Sequence, residues 1–190
     1  MEMKGEKIIF TSKQKVWEAL NNPDQLLKAI PGAQSVEKID DENLTATVKT
    51  KIGPISAKFK GKIKLSDINP PNSYKLTGEG TGGAAGFAKG HAEVQLSDHE
   101  DGTKLSYSVN ASVGGKLAQI GQRLIDTAAN KLADEFFGKF NDILSENNNT
   151  EISEKINDDN GGGINPSKWI TSVIILVILS IVFWYFLGQI

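Results

Sequence analysis

The sequence predicts an α+β fold, a curved antiparallel sheet closing on one long helix, with one C-terminal transmembrane helix behind it. Three observations carry this expectation. Through the middle of the chain, apolar and polar residues alternate with the two-residue period of half-buried strands. Beyond Gly114-Gly115 the apolar spacing changes to steps of three and four, the period of an amphipathic helix. From Trp169 to Leu187 the chain reads WITSVIILVILSIVFWYFL, without a charge.

The elements follow in order. MEMKGEKIIFTSK supplies an opening strand and lacks the apolar run of a signal-peptide core, so the first domain is expected in the cytoplasm. Thr11 or Ser12 caps a short helix through Leu20, and Pro23 or Asp24 opens a second that Pro31-Gly32 ends. Leu44, Ala46 and Val48 alternate toward Gly53-Pro54, which reads as a hairpin turn. In ISAKFKGKIKL, Ile55, Ala57, Phe59, Gly61, Ile63 and Leu65 point one way and the lysines the other. AKGHAEVQL and LSYSVNASV alternate likewise, with turns at Pro70-Pro71-Asn72 and Asp101-Gly102. Leu117, Ile120, Leu124, Ala128, Leu132, Phe136 and Phe140 then form the stripe of one helix ending near Leu144. A strand, two short helices, about six strands and a long helix bury both apolar faces if the sheet grips the last helix.

The chain thus divides into a domain over residues 1–144, a linker over 145–168 and a span over 169–187. The linker carries Glu146, Glu151, Glu154, Asp158 and Asp159, many asparagines and Gly161-Gly162-Gly163. With little to bury it is expected to be disordered, with a reach of about 26 Å. At 1.5 Å per residue the span measures roughly 28 Å, about one hydrocarbon core. Trp169 stands at one end and Trp184 and Tyr185 near the other, where amphipathic rings favour the interface. Lys168 just before the span keeps the N-terminal side cytoplasmic. The expectation is a single-pass cell-membrane protein with a cytoplasmic domain.

Charge and composition remove several function classes. The whole chain has 21 Lys and Arg against 23 Asp and Glu, and the first domain is nearly neutral, unlike a nucleic-acid binder. There is no cysteine, so disulfides, thiolate zinc sites and iron–sulfur clusters are excluded. His91 falls on the outward face of a strand and His99 in the turn SDHEDG, neither with a second ligand at metal spacing, so no metal site is expected. No serine has a readable histidine–acid partnership, and no catalytic residue is assigned. Gly78 to Gly83 fits GxGxxG, but a dinucleotide site needs a helix directly afterwards, and here a strand follows. Lys58, Lys60, Lys62 and Lys64 line one strand face. They read either as a patch for an acidic partner or lipid headgroups, or as a solvated face guarded against edge pairing.

The inward strand positions are often small: Ala46, Ala57, Gly61, Gly78, Gly80, Ala88, Gly90, Ala92 and Ala111. Cores pack to crystal-like density, so such positions either meet large partners or leave space. One reading is an apolar cavity lined by Ala57, Phe59, Gly61, Ile63, Ala88, Ala92, Val94, Tyr107 and Val109, with Ile120, Leu124, Ala128 and Leu132 from the helix. The other is that the glycines permit bends while Phe59, Tyr107 and Phe136 fill the middle.

Four segments, AIPGA (29–33), KIGPISAKFKGKIKL (51–65), GEGTGGAAGFAKGHAEVQL (78–96) and GTKLSYSVNASVGGKLAQIGQRLI (102–125), occur in an order that is similar to the carbon monoxide dehydrogenase G-subunit family. That family lies in the superfamily of START and birch-pollen-allergen-like helix-grip domains, and the resemblance covers residues 3–144. It implies a seven-stranded antiparallel sheet around a C-terminal helix with a hydrophobic pocket between, whose mouth Ile30, Pro31 and Gly32 would border. It also implies a non-enzymatic partner of a molybdenum hydroxylase of the carbon monoxide dehydrogenase type, linked to membrane attachment and to a lipophilic quinone such as menaquinone or ubiquinone. The resulting expectation is a membrane-anchored carrier with no covalently bound cofactor. The rival expectations are a passive membrane adaptor and a general phospholipid-binding domain.

Overall fold

The computed structural model of the protein describes residues 1–157, with side chains through Glu146. Its elements are β1 (Glu2–Ile9), α1 (Lys13–Leu20), α2 (Pro23–Ala29), β2 (Ala33–Lys38), β3 (Asn43–Ile52), β4 (Ile55–Asn69), β5 (Ser73–Thr81), a 3-10 turn (Gly83–Ala85), β6 (Phe87–His99), β7 (Gly102–Gly114), α3 (Lys116–Gln119) and α4 (Gln122–Asn157). A seven-stranded antiparallel sheet runs in the order β1-β7-β6-β5-β4-β3-β2. The helix pair is thus inserted between the two edge strands, and every other connection between strands is a hairpin.

The local chemistry explains the turns. Gly53 has φ of 59° ahead of Pro54, the left-handed first corner of a two-residue turn that pairs Ile52 with Ile55. At α2, Pro23 occupies the first turn and the Asn22 side chain accepts the amides of Asp24 (2.9 Å) and Gln25 (3.3 Å). Along β4 the half-buried positions 55, 57, 59, 61 and 63 alternate with exposed lysines, as the sequence predicts.

The densest packing lies where α1, α2 and the later part of α4 meet the sheet. Ile9, Val16, Leu105 and Phe140 are fully buried there, with Leu65, Leu96 and Leu144 beside them. Phe136 stacks on Phe140 at 5.5 Å and meets Phe137 edge-on at 5.0 Å. The buried Thr103 hydroxyl donates to the Thr11 carbonyl at 2.7 Å, so its polarity is satisfied. Edge strand β1 is tied to α4 by the Lys7–Asp134 ion pair at 2.8 Å. Asn141 adds a second tie, accepting the Phe10 amide and donating to the Ile8 carbonyl.

Two helix expectations need correction. The predicted single helix from Leu117 is broken at Gly121, whose φ of 89° is left-handed, so α3 and α4 are separate. The far end runs past the predicted stop at Leu144 to Asn157. No proline or glycine interrupts that stretch, and its Glu and Lys residues carry good helix propensity. The rest of the linker and the predicted span, with Trp169, Trp184 and Tyr185, lie outside the described residues. The chain divides into a compact unit, Met1–Thr150, and a second unit, Glu151–Ile190. No helix among the described residues is long and apolar enough to cross a membrane.

Candidate ligand-binding site

Between the concave sheet face and α4 lies a cavity of about 580 Å³. Its walls follow from the cross-strand register. Leu65, Leu76, Ala92, Val109 and Met3 stand in one row across five strands, and Tyr74, Val94 and Tyr107 in the next. Ala129, Leu132, Ala133, Phe136 and Phe137 close it from α4, while Leu26, Ile30 and Pro31 close it from α2 and the segment after it. The volume arises where α4 presents Ala129 and Ala133, one turn apart, in place of the phenylalanines that fill the helix face further on.

Among the described residues no charged side chain lines this space; its polar members are Thr50, Tyr74 and Tyr107. Tyr74 is 7% exposed, and its ring meets Trp17 edge-on at 5.5 Å. Burial pushes its phenol well above the ordinary tyrosine range, so the hydroxyl stays protonated and a donor. Tyr107 stacks on Phe137 at 5.4 Å, and the missing side chain of Gly5 leaves room for its hydroxyl. A larger depression, about 740 Å³, lies on the outer sheet face, bordered by Lys62, Lys64, Glu79, Lys89 and His91. It is an open polar groove, and it lacks the apolar walls a lipophilic molecule needs.

The structure brings together Ile63, Ala92, Val94, Tyr107, Val109 and Leu132 of the predicted lining, with Ile30 and Pro31 of the predicted mouth. Ala57, Phe59, Gly61 and Ala88 are half-buried in their strands but do not line the cavity. Phe59 instead packs over Gly82 at the 3-10 turn. Gly32 also stands aside. Its carbonyl accepts the Lys49 amide at 2.8 Å, and with φ of 76° a Cβ there would strike the Lys49 carbonyl oxygen, so it pins the mouth to β3.

Ile120 falls outside the cavity because it precedes the Gly121 break, and Leu124 and Ala128 for a geometric reason. A stripe built on steps of four drifts by about 40° per step on a 3.6-residue helix. Counting back from buried Phe140, Leu124 is turned away by roughly 160°, and it is 50% exposed while Ile125 is buried. Mixing steps of three and four from Phe140 reaches Phe137 or Phe136, Ala133 and Ala129, a signal present in the sequence. Tyr74 and Leu76 fall within the short stretch SYKL, which shows too little alternation to stand out.

The remaining motifs keep their predicted places. After Thr81 the glycine-rich stretch forms a single 3-10 turn and enters β6, with no long helix to face a phosphate. His91 is exposed on the outer face; His99, the half-buried last residue of β6, has the exposed Glu100 and Asp101 beside it, a grouping not singled out from the sequence and of a kind common without an ion. Lys58, Lys60, Lys62 and Lys64 are all exposed on the outer face of β4.

Residues 5–145 match the family model for CoxG, the G subunit of carbon monoxide dehydrogenase. Comparison with curated proteins returned no match. Among solved structures, a conserved protein from Geobacillus kaustophilus is 33% identical, with a TM-score of 0.72, over 77% of this chain and 96% of that one. A protein from Rhizobium leguminosarum (12% identity, TM-score 0.62, covering 77% and 95%) shares the fold. So does one from Thermus thermophilus (10%, 0.59, covering 77% and 99%). A seven-stranded sheet holding an apolar cavity against its last helix, together with the family match over nearly the whole described domain, establishes that this chain belongs to the CoxG family, the G subunits of carbon monoxide dehydrogenase.

Proposed function

We propose that this protein is a non-enzymatic carrier for a neutral lipophilic molecule, a quinone in the first place. It would serve a molybdenum hydroxylase of the carbon monoxide dehydrogenase type at the membrane. Membership in the family supports a role associated with carbon monoxide dehydrogenase. The observation that carries the carrier reading is the cavity: about 580 Å³, walled by aliphatic and aromatic side chains, without a charge.

The chemistry of the walls selects a ligand class. Each enclosed methylene contributes about 0.8 kcal/mol, so one five-carbon isoprenoid unit supplies up to roughly 4 kcal/mol. A phosphate or carboxylate brought among these residues would lose its hydration without finding a cation, which disfavours phospholipids and fatty acids. A ligand carbonyl, by contrast, would find a donor in the buried, protonated Tyr74 hydroxyl of the wall. The C-terminal span read from the sequence would hold the domain close to bilayer-dissolved ligand.

Organic extraction of the purified full-length protein followed by mass spectrometry tests the proposal. A co-purifying quinone, displaced by added menaquinone or ubiquinone, is the expected result. A protein that is consistently empty and binds neither quinone rules the carrier out, leaving the passive adaptor. Mixed phospholipid without quinone preference rules out the quinone.

A further inference from the structure

We propose that the β3–β4 hairpin is a docking element that seats this domain on an anionic lipid bilayer. The proposal goes beyond the carrier reading and does not depend on any cargo. Its first support is uncompensated charge. Lys49, Lys51, Lys58 and Lys60 surround the Gly53-Pro54 turn, all exposed, and Lys62 and Lys64 continue the row along β4. Lys49 and Lys58 face each other directly across the two strands, a like-charge pairing that destabilises a sheet. Among the described residues none of these lysines has an ion pair. Elsewhere six lysines are neutralised locally, Lys4 by Glu2, Lys7 by Asp134, Lys13 by Asp98, Lys38 by Asp41, Lys75 by Asp67 and Lys104 by Glu6, and the described cations without an ion pair there, such as Lys28, Lys89 and Lys139, are scattered singly rather than gathered at one turn. Of the acids on the same outer face, Glu2, Glu6 and Glu93 are engaged by Lys4, Lys104 and Lys75, Glu37 is in register with Thr45, and Glu79 stands across from Lys62, so none lies beside the turn itself.

The second support is what stands beside the charge. A Cβ built at Gly53 would lie 3.8 Å from Ile120 and 3.9 Å from Leu124, so both side chains reach the turn, and Leu124 is 50% exposed. Exposed aliphatic carbon at the tip of a hairpin whose outer face carries only lysine as charge is the pattern of an interfacial contact, where apolar carbon enters the interface and the ammonium groups reach phosphate.

The composition favours lipid over protein. The cations here are all lysine, which protein interfaces deplete, while arginine and aromatic residues, which they favour, are absent from the hairpin's outer face. Compact ammonium charges on flexible stems suit a diffuse array of headgroups more than one fixed carboxylate geometry. On β3, Lys49 and Lys51 alternate with Val48 and Thr50, which line the cavity from the opposite face, so the docking strand is also a wall strand of the cavity.

The chain has no cysteine, which makes site-specific probes straightforward. Ser56→Cys places an environment-sensitive fluorophore beside the hairpin turn; Asp101→Cys places one in the β6–β7 turn, at the opposite end of the sheet. Each labelled full-length protein is reconstituted into vesicles of phosphatidylcholine alone or mixed with phosphatidylglycerol. The expected result is a blue shift at position 56 in the anionic vesicles only, with none at position 101. Raising salt to about 1 M, where the screening length falls to about 3 Å, should reverse it. Changing Lys49, Lys51, Lys58 and Lys60 to Gln should lower the ratio of docked to free domain about fivefold per residue. Thermal melts confirm that the variant is folded, and the salt titration needs no variant. Equal responses at both positions, the same response in neutral vesicles, or a salt-independent shift would overturn the proposal. So would a hairpin that ignores lipid yet binds an acidic protein.

Discussion

Replacing Tyr74 by Phe removes one oxygen from the cavity wall and little else. The ring keeps its edge-on contact with Trp17, and no hydrogen bond within the protein is broken. In the ligand-free protein Tyr74 is only 7% exposed, and burial alone, with no hydrogen-bond partner among the described residues, acts on its hydroxyl. Its loss should therefore leave stability unchanged or raise it by up to about 1 kcal/mol. For a chain of this size that is a Tm higher by up to roughly 3 °C. In the complex the same change deletes a donor to the ligand carbonyl, costing about 0.5–1.5 kcal/mol, or roughly two- to twelvefold in Kd. Trp17 reports directly, since a quinone beside Tyr74 lies within quenching range of its indole. The chain has three tryptophans, so Trp169→Phe and Trp184→Phe make Trp17 the sole emitter. Titration with a short-chain naphthoquinone then gives the two affinities. Two outcomes refute the reasoning: a ligand-free variant destabilised by more than about 1 kcal/mol, which makes the hydroxyl structural, or an unchanged Kd.

Other changes separate packing from binding. Ala92→Leu or Ala133→Leu adds three carbons to the cavity; ligand-free stability should hold or rise by up to about 2 kcal/mol while quinone affinity falls at least about tenfold, read by melting and by Trp17 quenching. Gly90→Ala would press its Cβ onto the Asn110 carbonyl and to 2.9 Å from the Ala111 Cα, and should destabilise by about 1–3 kcal/mol in denaturant titrations. Gly78→Ala meets nothing closer than 3.8 Å and should be neutral or stabilising by about 0.5–1 kcal/mol. The Lys7 hydrogen bond to Asp134 raises the Lys7 pKa above 10.5, so its stabilisation is complete below that pH and is lost as pH climbs through the folded value. The stability gap between wild type and Asp134→Asn should therefore be flat through neutral pH and close in strong alkali.

The sheet was legible because its signal is short-ranged. On β4 a side chain's face depends on the parity of its position alone, and six alternating residues settle it. The helix was legible as a helix but not in phase, because a small error per turn accumulates: Phe140 and Phe136 face inward as expected, whereas Leu124, several turns earlier, has rotated to solvent. The cavity's position depends on that phase, and a stripe running through Leu124 and Ile120 moves it toward the hairpin, near Phe59 and Ala88. Tyr74 was invisible for a different reason: its importance comes from burial against Trp17 and from facing Val94, two long-range relations that no local pattern encodes.

The small residues of this fold divide into two groups with different work, and the division says where ligand capacity resides. Gly61 pairs with Gly80 and Gly78 with Gly90 across the centre of the sheet, yet none of the four lines the cavity. Only Gly90 is required by a close backbone approach; the others have room for a methyl group. Their nearest neighbours are atoms of the sheet itself, so they shape the sheet without defining the hollow. Ala129 and Ala133 do define it, since each sits on α4 opposite rows filled by leucine, valine and tyrosine. Enlarging a sheet glycine should therefore change stability and leave capacity alone, while enlarging either helix alanine should shrink capacity with stability intact. If Gly78→Ala weakened quinone binding as strongly as Ala133→Leu, the hollow would belong to the sheet, and the assignment of ligand volume to α4 would fail.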